Sequence, residues 1–139
     1  MACPYFIPAE VHGLELWPHR ERLPLGDGFA GGCGLQAPDS HCDDETLRLH
    51  CNLGYAGCYS ECSHLPADRA FDAIRFLVRR ESAVVLGVQF ACEHAHQPAL
   101  CGELRYDQSV KMWLEQPDAR LLPLADAAVR AWTARNARG

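Results

Sequence analysis

The sequence predicts an α+β fold: an irregular cysteine-rich N-terminal half with a short helix, packed on a small antiparallel three-stranded sheet with a C-terminal helix. Three observations carry that expectation. Residues 1–66 hold six of the eight cysteines and six of the nine prolines, after which the composition changes. Between residues 71 and 106 three β-prone runs are joined by the short polar connections ESA and EHAHQPA, as in an antiparallel meander. The final run, PDARLLPLADAAVRAWTARN, has Pro123 at a first helical turn and an apolar stripe of Leu124, Ala128, Val129 and Trp132.

In chain order, the first distinctive segment is GDGFAGGCG at residues 26–34. Five glycines in nine residues predict turns and close backbone approach there, not a helix or a regular strand. A short helix starts at Ser40 or Asp43, where Asp43, Asp44 and Glu45 supply a cap and an acidic first turn. Leu47, His50 and Cys51 recur at helical spacing and Gly54 marks the stop, so Cys51 falls in the last turn. The strands are expected at 71–79, 83–92 and 100–106, with Ile74, Phe76 and Val78 on one face of the first and Phe71, Ala73, Arg75 and Leu77 on the other. No repeat or linker divides the chain. Residues 1–139 read as a single domain, with a cysteine-rich half at 1–66 and the meander plus helix at 67–139.

At 139 residues, 48% hydrophobic and 22% charged, the chain is long enough to bury a modest core without covalent staples. No apolar run approaches the ~20 residues that span a bilayer. The net charge of -5 gives no electrostatic footprint for nucleic acid. The basic residues are nearly all arginine, with Lys111 the sole lysine, a trait of composition to which no function is attached. The N-terminus has no basic region followed by an apolar one, since Pro4, Pro8, Glu10 and His12 interrupt it, so a cytoplasmic location is expected. In a reducing compartment many cysteines read as metal ligands or redox groups before disulfides.

The cysteines do not form the paired CxxC knuckles of a zinc ribbon or the close run of a bacterial ferredoxin. Cys3 precedes Pro4, Cys33 sits in the glycine loop, Cys51 ends the helix, and either Cys58 or Cys62 can supply a fourth thiol. Glycine beside a ligand lets backbone N–H groups approach sulfur, which stabilises thiolate or cluster charge. Four thiolates drawn from loops suit a 4Fe-4S cluster or a tetrahedral zinc, and the glycine-rich surroundings without paired knuckles favour iron–sulfur. Asn52 and Tyr55 are candidate hydrogen-bond donors to such a site. Cys42, before an acidic helix start, reads as incidental, and Asp27 as a turn residue. A second metal site is conceivable on Cys92, His94, His96 and Cys101, if a turn near 96–97 sets Cys92 opposite Cys101. Ser40-His41 and Ser63-His64 have no third group to make a triad, and no GxSxG, P-loop or GxGxxG motif occurs.

CPYF at 3–6, PLGDGFAGGC at 24–33, CNLGYA at 51–56 and the spacing of Cys62 to Pro66 resemble a group of small bacterial cysteine-rich proteins. These share the order CPxF, WP with RLPLGD, C, CNLGYA and a further C followed by FP. DAIRF at 72–76 and RYD at 105–107 extend the resemblance over most of the chain. It implies shared cysteines at Cys3, Cys33, Cys51 and Cys62, and it implies no reaction. His64-Leu65 stands where an aromatic is usual, and the additional Cys58 competes for the fourth position.

Three function classes result. The first is a 4Fe-4S protein in electron transfer or redox sensing, with a redox or regulatory protein as partner. The second is a structural zinc-binding interaction module. The third, a thiol or metal-dependent enzyme using a spare residue such as Cys58, is the least supported because no substrate pocket is legible.

Overall fold

A computed structural model describes residues 2–12, 19–34, 42–52, 71–95 and 97–137 of the chain. Among these residues β1 (Phe6–Val11) pairs with β2 (Phe29–Cys33) in a two-stranded antiparallel ribbon. A short helix α1 (Asp44–Thr46) runs into a π-type turn (Leu47–Cys51). A separate sheet has the order β3 (Ala73–Arg80), β4 (Val85–His94), β5 (Gln97–Asp107), β6 (Met112–Trp113), all antiparallel, and α2 (Leu122–Ala137) closes the fold. The expected three-stranded sheet is therefore corrected to four strands, with a second sheet of two in the front half. β6 escapes a sequence reading because two residues are too short to show alternation.

The meander forms for the reason its pattern gives. Ile74 and Phe76 of β3, Leu86, Val88 and Cys92 of β4, and Leu104 of β5 are buried on one face, while Arg75, Leu77, Glu103 and Arg105 point outward. α2 buries Leu124, Ala125, Ala128, Val129 and Ala131 within that same core. No helix among the described residues is long and apolar enough to cross a membrane.

The ribbon is where expectation fails. Glycine-rich residues 29–33 do form a strand, and β1 carries Pro8 beside a register shift between Pro8 and Glu10. The glycine content is steric: a Cβ on Gly31 would overlap the carbonyl oxygen of Ile7 across the ribbon. The loop before β2 also carries contacts. Gly26, at φ 80, ends a turn closed by its N–H to the Leu23 carbonyl at 2.8 Å, and the Pro24 carbonyl accepts from Phe76 N–H at 3.1 Å.

Gly31→Ala is accordingly expected to lose about 3 kcal/mol of stability, a high overpacking cost because the obstacle is backbone. Urea denaturation measures it; a loss within experimental error would show that the ribbon can open without strain.

Candidate metal centre

Three of the four cysteines singled out by sequence lie within the described residues, and their backbones meet in one corner. Residues Cys3–Phe6 form a tight turn with Pro4 second, closed by Phe6 N–H donating to the Cys3 carbonyl at 3.2 Å. Cys33, the last residue of β2, is the register partner of Phe6. Cys51 ends the π-type turn, and its carbonyl accepts the Cys3 N–H at 3.0 Å. Cys51 is buried and Cys3 and Cys33 are partly so. Cys58 and Cys62 lie outside the described residues, as do Tyr55 and His96. Among the described residues no three His, Cys, Asp or Glu side chains come together as a group that could hold a metal ion.

The helix leading to Cys51 starts as its sequence dictates. Asp43 is the cap, its Oδ1 accepting from Thr46 N–H at 2.8 Å, and those hydrogen bonds hold its carboxyl below the usual range. The turn then widens, with Asn52 N–H reaching back to the Leu47 carbonyl at 3.0 Å.

Asn52 has a different role from the one its position beside Cys51 suggests. Its buried side chain accepts from Phe29 N–H at 2.9 Å and donates to the carbonyls of Phe29 at 2.9 Å and Leu47 at 3.1 Å. Both amide hydrogens are thereby engaged by backbone carbonyls, so the side chain braces β2 rather than donating to a sulfur. Cys42 takes part in the fold through its main chain. Its N–H donates to the Gly31 carbonyl at 3.1 Å, which docks it on β2 two residues from Cys33. Neither role has a signal in the local sequence, because each depends on a partner distant along the chain. Asp27 is a turn residue, with Oδ1 accepting from Gly28 N–H at 2.7 Å and paired with Arg20.

The second cysteine pair is arranged differently from expectation. A register shift follows Cys92, which pairs with Leu100, while Cys101 pairs with Ala91. The turn sits one residue earlier than 96–97, His94 being opposite Gln97. Cys92 and Cys101 therefore project from opposite faces of the sheet. Cys92 is fully buried in the core, whereas Cys101 and His94 are exposed. Burial, with a smaller contribution from Cys101, pushes the Cys92 thiol up to about 11.

No protein-family model, curated protein or solved structure matches this chain.

Two outcomes are expected. Asn52→Ala leaves the buried Phe29 amide and carbonyl without their partner and lowers stability by about 3 kcal/mol in urea denaturation. An unchanged midpoint would mean that water replaces the carboxamide. Cys92 makes stability fall with alkali. Its thiol ionises near 9.0 when unfolded and near 11 when folded, so its contribution is whole below the lower value and disappears as pH rises through the higher one. Cys92→Ala should flatten the decline between those values, and identical pH profiles for the two proteins would contradict this origin.

Proposed function

We propose that the chain binds a 4Fe-4S cluster on Cys3, Cys33, Cys51 and Cys62, with Cys58 the alternative fourth ligand, and acts in electron transfer or redox sensing with a protein partner. The observation that supports this most is the hydrogen bond from Cys3 N–H to the Cys51 carbonyl, which joins residues 48 apart in sequence beside the β2 end that carries Cys33. An all-thiol donor set of this kind suits iron–sulfur ligation. Such a cluster, when bound, supplies a one-electron couple whose potential is set by surrounding hydrogen bonds and burial. The chain's own part is to fix the ligand-bearing backbone. The Cys3–Phe6 turn, the ribbon and the Asn52 brace do this with main-chain atoms and one carboxamide. Cys51 is buried and Cys3 and Cys33 partly buried, which limits solvent around the corner.

Protein purified without oxygen is expected to be brown, absorbing broadly near ~400 nm with about four irons per chain. A colourless preparation with one zinc and no iron would replace this reading with the structural zinc module. Cys3→Ser, Cys33→Ser and Cys51→Ser should each lose the metal, whereas Cys42→Ser should keep it, because the contact Cys42 makes to Gly31 uses its backbone N–H. Cys62→Ala should lose the cluster and Cys58→Ala retain it, since the longer return from Cys51 gives the chain room to turn through NLGYAG before Pro66 stiffens the exit. The opposite pattern would transfer the fourth position to Cys58.

A further inference from the structure

We propose that a cleft between the β5–β6 hairpin and the first half of α2 binds a small aromatic carboxylate. The cleft is an open groove of about 670 Å³, within the range of small-molecule sites. One wall is aromatic: Tyr106 and Trp113 meet edge to face with centroids 5.0 Å apart. Among the described residues the sole carboxylate lining it is Asp126, which accepts the indole N–H of Trp113 at 2.9 Å and so holds that ring in place.

Two cations complete the lining, Lys111 and Arg130. Neither forms an ion pair with a carboxylate among the described residues, although the chain carries 18 acidic groups against 13 basic ones. Arg130 is positioned by the carbonyls of Ala9 at 2.8 Å and Pro8 at 3.5 Å and lies over the Phe29 ring, which leaves part of its donor fork for a further acceptor. Lys111 is more telling. It ends the loop between Asp107 and Met112 with φ 56, a position where hairpins ordinarily place glycine. A lysine there is strained, and it sets the chain's only lysine in the lining of the cleft. Aromatic wall, planar guanidinium and strained lysine together match a ring bearing one carboxylate. Among the described residues no candidate thiol lines the cleft, so binding there does not require metal at the cysteine corner.

The test is an NMR titration of the full chain with phenylacetate and with its neutral isostere phenylacetamide, following the Trp113 indole N–H. Phenylacetate should shift the resonance saturably and bind about tenfold more tightly than the amide, the size of one charge-assisted contact. Lys111→Gly removes the charge and relieves the backbone, so it should fold at least as well while losing most of that preference. Arg130→Gln, checked by its melting curve, should lose it too. Absence of saturation at millimolar ligand, equal affinity for acid and amide, or a preference unchanged in both variants would each overturn the proposal.

Discussion

The carboxamide of Asn52 pairs with both backbone groups of Phe29, as a neighbouring strand would, and uses its second hydrogen to hold the Leu47 carbonyl. These contacts fix which end of the amide is oxygen, since only one orientation puts an acceptor on the Phe29 N–H and donors on the carbonyls. Much of the front half depends on this brace. By holding the π-type turn against β2 it sets the Cys51 carbonyl, which receives the Cys3 N–H. Ala2, the next residue back, exchanges two hydrogen bonds with Ile74 of β3 at 2.6 and 2.8 Å. One connected path thus runs from the ribbon through Asn52, Cys51, Cys3 and Ala2 to the main sheet. Opening it at Asn52 would strand several buried polar groups at once, and each such group is costly without a partner.

That path also answers a problem of the sheet. β3 is an edge strand, and an uncovered edge invites pairing with another chain. Here Ala2 takes both backbone groups of Ile74, and the Pro24 carbonyl takes the N–H of Phe76 two residues on. The front half therefore caps the sheet as well as carrying thiols. It does so through main-chain atoms, while the Cys51 side chain lies in the core and Cys3 packs against it.

What sequence made legible follows from the range of each interaction. β3, β4, β5 and α2 were readable because burial on one face imposes a local period, and Asp43 because a cap acts within three residues. The ribbon was not, since Pro8 and Gly31 discourage strand formation locally and make sense only when β1 and β2 are seen together. The same holds for Cys92 and Cys101, whose opposite orientations come from a register shift that residue counting cannot reveal. Asn52 acts on Phe29, 23 residues away, and not on its neighbour Cys51, so its role leaves no local signal. At the cysteine corner, the hydrogen bond between Cys3 and Cys51 joins residues 48 apart, a contact with no local signal in either segment.

The ribbon also relates the two regions of interest to each other. Phe6, at one end of β1, pairs with Cys33 and donates to the Cys3 carbonyl. Two residues on, Pro8 lines the cleft, and the carbonyls of Pro8 and Ala9 hold Arg130 there. β1 is thus a wall common to the cysteine corner and the cleft, with its register shift falling next to the residues that Arg130 grips. The ribbon's close approach at Gly31 depends on the missing side chain, since a Cβ there would meet the Ile7 carbonyl. The spacing between the thiol-bearing turn and the cationic cleft is therefore set by the extended backbone of one six-residue strand.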